Sequence, residues 1–164
     1  MTILIMKAGR DDVPELQRLI NALADFEKLD PPTPDAQARF LEDGWPPVGK
    51  EPKFTAWLAR EVGSDEKSNE FVGYAITFFT YSSFLARPTL YLEDIFILPA
   101  YRKQGIGKWL MERLIREAKE KGCGRMEWVV LDWNVDAQEF YHKFGAGRQT
   151  EWLPYRMTFD EHHT

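Results

Sequence analysis

Apolar positions along the chain change period several times, and each change predicts an element. Thr2–Lys7 alternates weakly, is rich in Ile and reads as a strand. Val13, Leu16, Leu19, Ile20, Leu23 and Phe26 then recur at helical spacing. Asp11 or Asp12 caps that helix, with Pro14 in its first turn and Glu15 three residues after Asp12, a capping-box spacing. Pro31, Pro32 and Pro34 break the pattern; Thr33 and Pro34 open a short second helix that Gly44 closes. Trp45–Pro52 is a Pro/Gly loop. Phe54–Glu61 and Glu70–Phe79 read as strands joined by the polar turn Gly63–Asn69, a hairpin. Tyr81–Pro88 links to a third strand, Thr89–Leu98, which Pro99 ends.

The longest helical pattern follows. Ile106, Trp109, Leu110, Leu114, Ile115 and Ala118 share one face, and Lys108, Glu112, Arg113, Arg116, Lys119 and Glu120 the other, with Gly122 suited to the C′ position. Met126–Leu131 is another strand, Asp136–Phe144 a short helix, and Leu153–Phe159 can form a last strand. The order β–α–α–β–β–β–α–β–α–β predicts a mixed sheet with helices on its faces. With no repeat and no linker, residues 1–164 read as one domain.

Charge narrows the partners. Lys and Arg total 21 against 26 Asp and Glu, a net of −5, which argues against a cationic nucleic-acid face and suits a cationic substrate in an acidic cleft. The apolar start Met1–Met6 is only a few residues long before Lys7, which is neither a signal core nor a membrane span. Cys123, the single cysteine, cannot form an internal disulfide, and the chain reads as cytoplasmic.

Several motifs fail on inspection. Gly44 to Lys50 fits seven positions of a phosphate-binding P-loop, but Glu51 stands where Ser or Thr should hold magnesium, and two prolines remove amides. After Gly105 and Gly107 the third glycine of a dinucleotide fingerprint is replaced by Leu110. His142, His162 and His163 lack metal-ligand spacing, so no metal is expected. One constellation survives. The strand carrying Glu93 and Asp94 leads through a basic, glycine-containing turn, Arg102-Lys103-Gln104-Gly105-Ile106-Gly107-Lys108, into the long helix. Free N–H groups at a helix start, two glycines that let a diphosphate approach, and the charges of Arg102, Lys103 and Lys108 make an anion site.

In these residues the chain resembles the GNAT superfamily of acetyl-CoA-dependent N-acetyltransferases. Arg102, Gly105 and Gly107 meet its [RQ]-x-x-G-x-[GA] signature; Asn134, Ala137, Phe140, Tyr141, Gly145 and Ala146 meet its later N-x-x-A-x-x-F-Y-x-x-x-G-A pattern. Within the superfamily it is most similar to the diamine (spermidine/spermine) N-acetyltransferase group. The carriers are Leu92-Glu93-Asp94, Asp132-Trp133-Asn134, Phe26-Glu27, Leu41-Glu42-Asp43-Gly44 and Phe140-Tyr141; the match fades at Pro31–Asp35, Val62–Asn69 and Gly147–Leu153. The resemblance implies an α/β (α+β) fold: a mixed, mostly antiparallel twisted sheet with a splayed parallel pair and helices on both faces.

It also implies roles. Backbone groups of Ile95, Phe96 and Ile97 would pair with pantetheine, residues Arg102–Lys108 (Ile106 included) would cradle the diphosphate, and Asn134 and Ala137 would lie along the cofactor. Tyr141, one helical turn beyond Ala137, would donate a proton to the departing thiolate. The acceptor poses a separate problem. An alkylamine of pKa ~10.4 is neutral to about 0.04% at pH 7, a handicap of about 4–5 kcal/mol. The enzyme must therefore bind a cation and remove a proton, work for carboxylates. Strand alternation lets only one of Glu93 and Asp94 face the cleft easily, and the resemblance favours Glu93 as amine contact or water-relay base. Glu27 is implied as anchor for a distant ammonium, with Trp133 either a wall of the amine cleft or a packing residue.

The expectation is thus acetyl transfer from acetyl-CoA to a small cationic amine, a diamine or polyamine, in a ternary complex. The partners expected are the amine and a second copy of the chain, with neither nucleic acid nor membrane. A basic amino acid, aminoglycoside or protein amine would keep the chemistry and change the acceptor. A non-catalytic acyl-CoA-binding domain is the reading from a different class.

Overall fold

The computed structural model describes residues 1–63 and 69–159, so most of the polar turn expected at Gly63–Asn69 lies outside the described residues. The chain divides into two compact units, one ending at Trp128 and the other beginning at Val129.

The first unit is a sheet of five strands in sequential order: β1 (Thr2–Lys7), β2 (Thr55–Val62), β3 (Phe71–Ser82), β4 (Arg87–Ile97) and β5 (Arg125–Glu127). The first three pairings are antiparallel and β4–β5 is parallel. Helices α1 (Val13–Glu27) and α2 (Pro34–Gly44) cover one face. There Leu16 and Leu19 of α1 pack on Ala56, Leu58, Tyr74, Ile76 and Phe96, with Phe40 of α2 partly buried against them. On the other face Ile106, the first residue of α3 (Ile106–Glu120), packs with Ala59 and Val72 and against Ile97. The mixed sheet with helices on both faces is the architecture the periodicities predict.

Local chemistry sets the helix ends. The Thr33 hydroxyl accepts from the Ala36 N–H at 3.2 Å and caps α2. The predicted cap of α1 works differently. Asp12 already has helical dihedrals (φ −84°, ψ −5°), so its carboxylate turns back to accept from the Gly9 N–H at 2.8 Å, while Glu15 pairs with Arg18. After α3, Gly122 at φ 73° lets the Cys123 N–H reach the Ala118 carbonyl and its own N–H reach Lys119, closing a Schellman turn.

The buried face of α3 also differs from the sequence reading. Trp109 is half-exposed, whereas Glu117 is buried. Glu117 binds Lys7 at 3.1 Å and Arg113 at 3.3 Å, and both cations lie over the Trp57 ring. Burial alone would raise the Glu117 carboxyl, but Lys7 and Arg113 together hold it below the usual range. This cluster ties α3 to β1.

Three strand expectations need correction. The link expected at Tyr81–Pro88 is a tight turn between β3 and β4, which pair as far as Ser82 and Arg87. The strand expected over Met126–Leu131 shrinks to β5, which meets β4 only at Thr89, Leu90 and Tyr91. No strand forms over residues 153–159. In both places the residues have β-propensity, but a strand exists only where a ladder partner receives its N–H and C=O groups. Trp152, Leu153, Tyr155, Met157 and Phe159 are accordingly exposed.

The second unit contains α4 (Val135–His142), whose start is capped by the Asn134 side chain accepting from the Ala137 N–H at 3.2 Å.

Candidate active site

The centre of β4 is irregular. Ile76 opposes Asp94 and Thr77 opposes Leu92, so Glu93 is an extra residue in a β-bulge. A bulge changes the phase of side-chain alternation. Leu92, beside Thr77, lies on the face opposite Ile76, and Glu93 therefore turns to the Ile76 face. Asp94, beside Ile76, lies on that face as well. Both carboxylates accordingly line one open cavity of about 450 Å³, together with Ile20, Phe40, Lys53, Phe54, Ile76 and Phe78. The expectation that alternation lets only one acid face the cleft is overturned by the bulge. A signal for it stands in the sequence: apolar Leu90 and Leu92 are followed by Ile95 and Ile97, a jump of three where strict alternation demands two.

The two acids differ in setting. Glu93 is exposed, whereas Asp94 is half-buried and its Oδ2 accepts from the Tyr74 hydroxyl at 3.2 Å. Tyr74 is fully buried. Burial, then the neighbouring Glu93 charge, push the Asp94 carboxyl up to about 6; the Tyr74 hydrogen bond opposes the rise and Glu27 adds to it. Glu27, the last residue of α1, is itself raised by burial. Its place is set by Lys28, which takes a left-handed turn at φ 59° and lets the Leu29 N–H close on Ala24. Glu93 and Asp94 thus share an apolar wall, and Glu27, which is not among the residues lining that cavity, acts on Asp94 through its charge. Such a wall concentrates a cation and offers it a base near neutral pH.

Downstream, β4 presents an edge. The Leu98 N–H donates to Val72, so the antiparallel alternation directs Phe96 toward Tyr74 of β3 and turns the backbones of Ile95 and Ile97 away from it. Phe96 differs here from its two neighbours, which carry the outward edge. On that side β5 accompanies β4 no further than Tyr91. The Ile97 carbonyl accepts from Arg102 Nε at 2.9 Å, and the Arg102 guanidinium lies over the rings of Phe26 and Phe96, 4.7 and 5.2 Å from their centroids. Arg102 therefore folds back on the strand and joins the turn to the end of α1.

The turn itself is shaped for an anion. Lys103 (φ 61°) and Gly105 (φ 88°) are both left-handed, and Gln104 is held by its side chain donating to the Ala100 carbonyl. The first α3 amide with a backbone partner one turn back is that of Trp109, on Gly105. The N–H groups of Ile106, Gly107 and Lys108 precede it, with no carbonyl one helical turn back to receive them, at the positive end of the helix. These residues fit a diphosphate. In the second unit, Tyr141 is half-buried with its ring 5.4 Å from that of Phe140, and Trp133 is about half-exposed.

Residues 17–146 match the family model described as the Acetyltransferase (GNAT) family. The chain belongs to the GNAT acetyltransferases. It is an acetyl-transferring enzyme of that family, and its acetyl donor is acetyl-CoA. It is 34% identical over 158 residues to thialysine N-epsilon-acetyltransferase of Mus musculus, covering 93% of this chain and 91% of that one. It is 32% identical over 161 residues to spermidine/spermine N(1)-acetyltransferase-like protein 1 of Homo sapiens, covering 96% of this chain and 23% of that one. Among solved structures, AAC(6′)-Iy in complex with a CoA-bearing bisubstrate analogue superposes with a TM-score of 0.73 at 19% identity, over 96% of this chain and 99% of that one. That structure supports the fold.

For this GNAT acetyltransferase the sequence reading missed Tyr74 and Lys53. Tyr74 reads from sequence as an apolar strand residue, and its hydroxyl gains meaning only once Asp94 is turned toward it. Lys53 lies in a loop without periodicity, where only the fold reveals that it reaches the same cavity as the acids.

Proposed function

We propose that the enzyme acetylates the primary amine of a small cationic molecule, drawn from diamines, polyamines and basic amino acids, by direct transfer in a ternary complex. The observation that carries this is the bulge that turns Glu93 and Asp94 together onto an apolar cavity wall, with Glu27 adding its charge. The names of the thialysine and spermidine/spermine relatives support the same class.

Within it, Glu93 contacts the incoming ammonium and Asp94 takes its proton, directly or through water. The resemblance favours Glu93 for the second task. The carboxyl near 6 and the Tyr74 hydrogen bond support Asp94 instead, since a base works best with its pKa close to the working pH. Glu27 attracts a second positive charge. The edge of Ile95 and Ile97 holds the pantetheine arm, and residues 102–108 hold the diphosphate. Arg102 and Gln104 serve that turn by bracing it, while Lys103, Gly105, Ile106, Gly107 and Lys108 face the phosphates. The resemblance gives Asn134 and Ala137 the role of donor contacts, Tyr141 that of acid for the thiolate and Trp133 that of an amine contact. Cys123 follows α3 and is absent from the residues lining the cavity, which favours direct transfer over an acyl-cysteine route. The exposed apolar residues between Trp152 and Phe159 support a homodimer, and the single cysteine supports a cytoplasmic setting.

The test is acetyl-CoA turnover with a panel of amines, followed as free thiol. Amine-dependent thiol release is expected, greatest for amines with a second charged group. Acetyl-CoA binding without thiol release for any amine would replace this reading with the non-catalytic one.

A further inference from the structure

The bulge that turns Glu93 onto the cavity wall has a fixed neighbour on the other face of the sheet. Leu92, the residue before Glu93, pairs with Thr77, and both are buried on the face that carries α3. There the Thr77 hydroxyl oxygen accepts from the Trp57 indole N–H at 3.0 Å. Trp57 is fully buried, and its ring is held by Lys7 of β1 and Arg113 of α3, the two cations that bind Glu117. A bulge can occupy neighbouring positions of a strand. Moved one residue toward the β3–β4 turn, it would make Leu92 the extra residue and set Glu93 opposite Thr77, with Tyr91 still opposite Phe78. The Glu93 carboxylate would then enter the buried α3 face, where the Trp57 N–H is already taken by Thr77. With an apolar residue at position 77, that buried N–H would lose its partner and favour the shift, because the incoming carboxylate can accept from it.

We infer that Thr77 is a positioning residue for the two acceptor acids: by occupying the Trp57 N–H it keeps the extra residue at Glu93 and the Glu93 carboxylate on the cavity wall beside Asp94. The inference rests on the roles proposed above for Glu93 and Asp94 and adds a residue that is not among those lining the cavity. The groups that act on Asp94 are Glu93 on its own strand, Tyr74 on β3 and Glu27 on α1, and Lys53 lines the same cavity. Turning Glu93 inward takes a negative charge away from Asp94, so Asp94 stays ionised to lower pH.

The experiment measures kcat/KM for one amine across pH at saturating acetyl-CoA, with circular dichroism as the check on folding. Thr77→Val keeps the shape of the side chain and removes the hydroxyl. It should move the acid limb to lower pH and, through loss of the Glu93 contact, lower kcat/KM at pH 8 about tenfold. Glu93→Gln should do the same, and Thr77→Val added to it should change little further, because both act through one carboxylate. Thr77→Ser keeps the acceptor oxygen and should keep the wild-type limb. Trp57→Phe combined with Thr77→Val removes donor and acceptor together and should restore the limb, which tests the inference even where Thr77→Val alone folds poorly. A folded Thr77→Val enzyme with an unmoved limb, effects that add in full to those of Glu93→Gln, or a double variant at 57 and 77 with a displaced limb would each overturn the role of Thr77 and leave the amine acetyltransferase reading standing. A Glu93→Gln enzyme with an unmoved limb would overturn Asp94 as the base. Absence of thiol release from the wild type with every amine would overturn the acceptor reading itself.

Discussion

Replacing Tyr74 by Phe removes one hydroxyl and leaves a ring that is fully buried against α1. What changes is the Asp94 carboxylate, which loses a donor at 3.2 Å in a setting where burial and the Glu93 charge already push it to about 6. A hydrogen bond to a charged group contributes about 1.5–3 kcal/mol, and one pKa unit corresponds to about 1.4 kcal/mol, so the lower end predicts a rise of about one unit. If Asp94 must be ionised to take the proton, activity falls as pH drops through its pKa, and raising that pKa moves the fall to higher pH. The acid limb of kcat/KM, which reports the free enzyme, should therefore move from near 6 toward 7. The ionised fraction at pH 6 would drop about fivefold, while at pH 8 the variant would stay within a small factor of the wild type. The assay is thiol release across pH 5–9 with a fixed amine, with circular dichroism to confirm folding. A folded variant whose limb does not move, or whose rate falls equally at every pH, would refute the assignment of Asp94 as the base.

Tyr141→Phe should lower kcat by about 10²–10⁴ while leaving acetyl-CoA affinity within a few-fold, because the proton is needed only as the C–S bond breaks; a variant keeping most of its kcat where chemistry limits the rate marks Tyr141 as packing. Gly107→Asp should weaken acetyl-CoA binding more than tenfold in calorimetry, since a carboxylate would meet the diphosphate at the helix start; unchanged affinity would remove the cradle from residues 102–108. Gly73→Ala should destabilise the fold by about 1–3 kcal/mol in urea titration, because the added methyl would collide with the Ile97 side chain and lie 2.8 Å from the Phe96 carbonyl; no change in midpoint would mean β3 and β4 separate easily.

Helical periodicity made α1, α2 and α3 legible because each buries one stripe, and Thr33 and Gly122 act at helix ends as their residue types suggest. Asp12 did not, because a cap depends on a backbone dihedral that composition leaves open. The strand expected over Met126–Leu131 stopped at Glu127, and the one expected over Leu153–Phe159 did not form, for a related reason: pairing is a property of two segments, and an apolar run alone does not state its partner. The anion turn was legible because local backbone groups make it. The acid wall was only half legible. Glu93 and Asp94 stood out as residues, but their shared direction depends on one unpaired position opposite Ile76 and Thr77, and Tyr74 and Lys53 reach the wall from other parts of the chain.

The bulge has a consequence for chain length. Before it, Leu90 and Leu92 are buried on even numbers; after it, Ile95 and Ile97 share the same face on odd ones. Excising Glu93 whole, instead of substituting it, would bring Leu92 and Asp94 into consecutive register and leave every apolar residue of β4 on the face it already occupies. The sheet thus contains a position where a codon can be lost without scrambling the core, and where the residue lost is one of the two adjacent acids. Fold and acidity are separable there by a single-residue indel, which makes β4 a natural place to vary the charge of the acceptor wall while the remainder of the protein keeps its packing.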